Sequence, residues 1–231
     1  IMPEHDKTNT RIMTTTYTLH HTVKIMVLTW NNQRNFLASG DEDGIVCVWR
    51  IRWNTWLVLK PMKWRNHSCS SDIKKVINLI WLNNGNDLCT VYSNCLHFAS
   101  ISMKLDRTEK IKITIPSKFG SIMGAIISPD FNWILLITNK INVSMINLET
   151  YSIHEVNYFP ESTDIKSIAW NNFTSMVAFG MTKGTIHIHN AHTPSEKKII
   201  NMDLKNIKIQ WSENGNYLAV AGCKHSWGVP Y

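Results

Sequence analysis

Apolar positions along this chain gather in short runs set between polar turns, at the period of strands and not at helical spacing. Residues 24–30 read as a strand, 31–35 as a turn, 36–40 as a second strand, 45–51 as a third and 56–59 as an outer fourth. Asp43-Gly44 joins the second and third as a tight hairpin whose two central residues are expected to take positive φ. The plan recurs over 76–81, 88–92, 96–101 and 110–115. It returns over 123–127, 134–138, 141–146 and 153–157, then over 165–170, 176–179, 185–189 and 199–204, where Lys183-Gly184 turns the hairpin. A last unit offers 207–211 and 217–221, and the β-branched run 14–19 reads as the outer strand of a further unit.

The first strands end on Trp30, Trp81, Ser128 as a stand-in, Trp170 and Trp211, with Trp49 closing a third strand. A period of roughly 40 to 50 residues built from short strands is the sequence signature of a β-propeller, whose blades cannot bury both faces alone. The expected fold class is therefore all-β: an incomplete propeller of about four blades and part of a fifth, and a fragment of a larger ring, since propellers close with about four to eight blades. A flexible tail is expected over 1–13 and the propeller over 14–231, with blades near 20–60, 73–116, 120–158, 163–204 and 205–224. Trp30, Asp43, Gly44, Trp49, Trp81, Trp170, Gly184 and Trp211 are the expected blade-structural residues.

Composition narrows the chemistry. With 231 residues, 44% hydrophobic and 10% aromatic, the chain can furnish a core, which excludes global disorder. The most apolar stretch, 122–138, is broken by Pro129 and Asp130 and falls short of the ~20 clean residues a membrane helix needs, so no membrane insertion is expected. Nothing at the start resembles a secretory signal, and the five cysteines read as reduced, which together suggest the cytoplasm. The net charge of +7 comes from dispersed lysines, with small concentrations over 104–112 and 197–208, a pattern that reads as solvated blade edges.

Catalytic signals are weak. There is no Gly-x-Ser-x-Gly elbow and no phosphate-cradling glycine loop, and Asp41-Glu42-Asp43 sits on a hairpin where acids serve the turn, so no enzyme and no cofactor is expected. His67, Cys69, Cys89, Cys95 and His97 suggest zinc, but Cys89 and Cys95 are spaced too widely for the usual close ligand pair. His187 and His189 share a strand face, a spacing that suits a metal or a pH sensor and equally suits packing. Trp53, Trp56 and Trp64 lie in a connector with Arg50, Arg52, Lys60, Lys63 and Arg65. Aromatic and basic residues so mixed can stack on nucleic acid, pack as an outer strand or anchor a protein partner, and Trp53, Trp64, Arg52 and Arg65 are the candidate partner contacts.

The stretch from Phe36 through Ser39-Gly40-Asp41 and Asp43-Gly44 to Val48-Trp49 resembles the WD-repeat family, with Arg50 where the name-giving Asp would stand. No repeat carries the family's Gly-His dipeptide, although His20-His21 lies near its place, so the buried hydrogen-bond chain through His, Ser and Asp is expected to be incomplete. Val48-Trp49, Ile80-Trp81, Cys89-Thr90-Val91-Tyr92, Ala99-Ser100-Ile101, the run from Ala178 to Ile188, Ile209-Gln210-Trp211 and Leu218 to Gly222 resemble more narrowly the amino-terminal propeller of the WD-repeat subunits of intraflagellar transport complex A, in the class of WD repeat-containing protein 35. The propeller of tubby-like proteins carries the same kind of repeats. The resemblance implies a non-catalytic scaffold for ciliary assembly and retrograde transport. Its partners would be other protein subunits of the transport complex and membrane-protein cargo, and its location the cytoplasm, cilium and basal body. A tubby-like substrate adaptor of a ubiquitin ligase and an RNA-binding propeller are the alternatives.

Overall fold

The computed structural model describes residues 21–31, 33–52, 57–58, 62–65, 75–82, 85–140, 142–156, 158–159 and 164–224. The chain divides into two compact units, Ile1–Ser117 and Lys118–Tyr231, each built from antiparallel sheets that follow one another along the chain. The expected tail 1–13 and the strand proposed for 14–19 lie outside the described residues.

In the first unit, β1 (Ile25–Asn31), β2 (Phe36–Asp41) and β3 (Ile45–Arg52) form a meander. Two segments share the far edge of β3. β4 (Leu57–Val58) pairs with Ile51 and Arg52, and β5 (Met62–Arg65) pairs with Ile45 to Val48. The outer strand expected over 56–59 is thus only the short end of this edge, and the blade extends past residue 60 to Arg65. An eight-residue β3 leaves half its ladder open until a second segment covers it. The next blade is β6 (Asn78–Trp81), β7 (Asp87–Val91), β8 (Cys95–Ile101) and β9 (Arg107–Thr114).

The second unit holds β10 (Ile122–Ile127), β11 (Trp133–Thr138), β12 (Asn142–Asn147) and β13 (Ile153–Glu155), then β14 (Ile165–Trp170), β15 (Met176–Met181), β16 (Thr185–Asn190) and β17 (Lys197–Asn201). It ends in the pair β18 (Lys205–Trp211) and β19 (Leu218–Cys223). Strands with a neighbour on each side read as unbroken apolar runs: in β11, Ile134, Leu135 and Leu136 are fully buried. Outer strands alternate, as in β9, where only Ile113 among its residues is buried.

Three local features differ from the sequence reading. First, the register of the first strand slips in four blades, between Ile25 and Val27, Ile122 and Gly124, Ile165 and Ser167, and Lys205 and Lys208, a recurring bulge that sharpens the local twist. Second, only glycine takes positive φ in the Asp43-Gly44 hairpin, with Gly44 at 80°. Gly44 donates its N–H to the Asp41 carbonyl at 3.2 Å, so the connection is a turn closed by a left-handed glycine and not a two-residue turn with both centres left-handed. Gly184, at 94°, serves the corresponding hairpin of β15 and β16. Third, Trp30, Trp81, Trp170 and Trp211 pair with Leu37, Leu88, Val177 and Leu218, and the register puts Ile127, opposite Ile134, in that place in the third blade. Ser128 is one residue further on, where the other blades carry Asn31, Leu82, Asn171 and Ser212.

Each unit packs blade against blade. Val46, Val48, Leu79, Trp81, Leu88 and Tyr92 belong to one cluster in the first unit. In the second, Leu135, Trp170, Val177 and Phe179 form one cluster, and Ile186, Ile188, Ile207 and Ile209 another. Gly180 permits a close approach of the next blade, since a Cβ there would sit 2.8 Å from the Ile207 carbonyl oxygen.

Candidate functional site

One side-chain device ties successive blades. Asn31 donates Nδ2–H to the Gly85 carbonyl at 2.7 Å while its Oδ1 accepts the N–H groups of Gln33 and Arg34. Asn171 repeats this, donating to the Gly215 carbonyl at 2.8 Å and accepting from Phe173 and Thr174. The tryptophan of the following blade adds a second link: Trp211 Nε1–H reaches the Ala169 carbonyl at 3.2 Å, and Trp81 Nε1–H the Thr29 carbonyl at 3.5 Å. The Trp-Asn dipeptides at 30–31 and 170–171 are the sequence signal for this clasp.

In the third blade Ser128 cannot reach across. Its hydroxyl donates to Asp130 and accepts the Trp133 N–H, so the side chain turns into its own loop. A cleft of about 460 Å³ opens on this turn face, lined by Ser128, Asp130 and Trp133 on one side and by Trp170, Phe173 and His192 on the other. Burial would raise the Asp130 carboxyl pKa, but hydrogen bonds from the Ser128 hydroxyl and from the backbone and side-chain amides of Asn132 outweigh it and hold the group below the usual carboxylate value. A second depression of about 410 Å³ adjoins, with Phe173, Glu213 and Tyr217 in its wall. Phe173 and Tyr217 are 71% and 72% exposed, the two most exposed large apolar side chains among the described residues.

The first blade holds a buried polar chain. His21 Nδ1 lies 2.8 Å from Asp41 Oδ2 and Nε2 lies 2.5 Å from Ser39 Oγ. Asp41 Oδ1 accepts the Asp43 and Ile45 N–H groups at 3.0 and 2.8 Å, and the Trp49 ring centroid is 5.9 Å from that of His21. The expectation that this chain would be incomplete is corrected: Asp41 in the hairpin and His21 before β1 supply what Arg50 after Trp49 does not. Arg50 instead donates to the Met103 carbonyl at 3.2 Å. Ser39, His21 and Asp41 are connected as in a serine hydrolase, but Ser39 and Asp41 are fully buried and His21 nearly so, so the hydroxyl faces no substrate. The arrangement locks the β2–β3 hairpin to the segment that leads into β1.

The remaining candidates fall as follows. Trp49, Trp81 and Trp170 are buried, and Trp30 and Trp211 are half-buried. Trp64 lies in β5, packed against the first unit's core, with the Arg107 guanidinium 5.3 Å from its ring centroid. Arg52 ends β3 and Arg65 ends β5, while Trp53 and Trp56 lie outside the described residues. His67 and Cys69 also lie outside them, and among the described residues no group of three or more His, Cys, Asp or Glu is placed to hold a metal ion. Cys47, Cys89 and Cys95 are buried, and burial pushes the Cys47 thiol up to about 12 and the Cys89 thiol upward too, which keeps both protonated. No helix among the described residues is long and apolar enough to cross a membrane.

The comparisons with known proteins agree with this architecture. Residues 13–50 match the family described as WD domain, G-beta repeat. The β-propeller domain of Cps50 (Swd1) from Myceliophteria thermophila superposes with a TM-score of 0.66 at 18% sequence identity, over 87% of this chain and 63% of that one. The chain thus spans less than two thirds of that neighbour. At this identity the likeness shows the fold alone, a β-propeller of WD-repeat type. In all, 1340 solved chains match, a breadth that cannot single out one function. No curated protein matches the sequence.

Proposed function

We propose that the chain is a non-catalytic interaction scaffold, the propeller portion of a WD-repeat subunit of intraflagellar transport complex A, acting in the cytoplasm and at the cilium and basal body on other subunits and on membrane-protein cargo. The interaction reading is carried by one contrast. The groups with reactive potential, His21, Ser39, Asp41 and Cys89, are buried, whereas the aromatic rings of Phe173 and Tyr217 stand in solvent at the rim of adjoining clefts. Exposed aromatics beside a concavity are the usual anchors of protein recognition. The narrower assignment rests on the motifs around Trp49, Trp81, Cys89 to Tyr92 and Ala178 to Ile188.

The test is affinity capture of the tagged chain from ciliated cells with quantitative mass spectrometry. Complex A subunits enriched over a tag-only control support the reading. Recovery of ubiquitin-ligase subunits would move the assignment to a tubby-like adaptor, and recovery of RNA without protein partners would overturn it.

A further inference from the structure

We infer that the cleft between the Ser128–Trp133 turn and the Asn171–Ser175 turn is a peptide-docking groove whose occupant is an extended segment of a partner protein, with a basic side chain at Asp130 and a neighbouring apolar side chain against Phe173. This rests on the interaction-scaffold reading and adds to it the place and the chemistry of the partner.

The cleft exists for a local reason. Where the fourth and fifth blades are clasped by Asn171 and Gly215, the third blade has Ser128, whose hydroxyl is spent on Asp130 and the Trp133 N–H. Trp170 Nε1–H makes no hydrogen bond among the described residues, although its counterpart Trp211 binds the Ala169 carbonyl. A gap of about 460 Å³ remains, within the range of roughly 300–1,000 Å³ typical of ligand pockets.

Charge then selects the occupant. The chain carries a net +7, yet among the described residues no Lys or Arg lines either this cleft or the adjoining one; the charged groups there are Asp130 and Glu213. Asp130 is held by the Ser128 hydroxyl and by Asn132, contacts that fix its carboxylate in place and leave it exposed to solvent. Phosphate-bearing partners meet repulsion here, and basic segments meet a fixed acceptor. Phe173, its N–H bound by Asn171 Oδ1, presents its ring between the two depressions and supplies the apolar contact.

The experiment is fluorescence polarisation of the full chain with labelled peptides that place Arg-Leu, Glu-Leu or Arg-Ser in a Gly-Ser backbone, at low and high salt. The Arg-Leu peptide is expected to bind best and to weaken with salt. Asp130→Asn, which keeps the turn's acceptor, should weaken it about two- to fivefold, as for an exposed ion pair. Phe173→Ser, at a side chain already in solvent, should weaken it about tenfold or more. Both variants should melt with the parent chain. Equal binding of Glu-Leu, no peptide binding, or Arg-Leu binding unchanged in both variants overturns the groove. Protein partners captured from cells equally by parent and Phe173→Ser chains would sink this inference and leave the scaffold reading standing.

Discussion

His21 Nδ1 and Asp41 Oδ2 lie 2.8 Å apart across twenty residues of chain, and with Ser39 on Nε2 they form a closed polar chain inside the first blade. Because Asp41 accepts from Nδ1–H, Nε2 is left to accept the Ser39 hydroxyl proton, so each member satisfies the next. Removing one leaves the others without a partner in a buried site. Ser39→Ala is expected to cost about 1–3 kcal/mol, the penalty of an unpaired buried acceptor. Asp41→Ala should cost more, since it also frees the Asp43 and Ile45 N–H groups. Urea denaturation of the two variants measures both, and a loss under about 0.5 kcal/mol for Asp41→Ala would show that the chain contributes little.

The Asn171 clasp makes a distinct prediction. Its side chain makes one bond to the next blade and two within its own turn. Asn171→Ala should destabilise by about 1–3 kcal/mol, whereas Asn171→Ser, able to hold only its own turn as Ser128 does, should recover part of that. Equal losses for both would mean that the local turn bonds contribute nothing.

Opposite signs are expected at two equivalent turn positions. Phe131 has φ 58° where Gly215 has φ 70°. A side chain in this region costs about 1–2 kcal/mol, so Gly215→Ala should destabilise by at least that much. Its Cβ would also lie 2.7 Å from Asn171 Oδ1. Phe131→Gly trades that strain against a more flexible unfolded chain and should stabilise by up to about 1 kcal/mol. Thermal melts in parallel read the pair.

Acid should weaken the second unit through His187 and His189. Their rings stack with centroids 6.1 Å apart, the edges of Tyr158, Phe159 and Phe179 meet His189, and Lys197 lies nearby. Burial first lowers both imidazole pKa values below 6.5; at His187 the neighbouring His189 and then Lys197 add to it, and at His189 Lys197 adds to it against the opposing hydrogen bond from Nδ1 to the Pro194 carbonyl. The unfolded chain therefore takes up protons before the folded chain does. Stability is full above pH 6.5 and falls as the pH drops below it. His189→Phe, which preserves the aromatic packing, should flatten this dependence between pH 7.5 and 5.5, and an unchanged slope would assign the effect elsewhere.

The blades were legible because their cause is local. Trp30, Trp81, Trp170 and Trp211 recur with the apolar second strand, and a strand's two-residue period is written in adjacent positions. What the sequence hid depends on contacts across the fold. Nothing near Trp49 shows that Asp41 is the acceptor for His21, because the two meet only after β1 and β2 pair. Ser128 looked like a tryptophan's substitute until register made Ile127 its equivalent. The outer edge of β3 was misplaced because Leu57–Val58 and Met62–Arg65 are both too short to outweigh the propensities around them. The cleft beside Ser128 arises from a missing clasp, which a chain without its neighbours cannot display.

Hydrogen–deuterium exchange resolved by peptide tests the blade architecture most directly. Amides of β7, β11 and β15, hydrogen-bonded between two neighbours, should exchange slowest, and those of the outer strands β9, β13 and β17 faster within the same blade. Fast exchange through β11 and β15, or outer strands protected more than the strands they flank, would contradict the repeated four-stranded sheets from which every other conclusion is built.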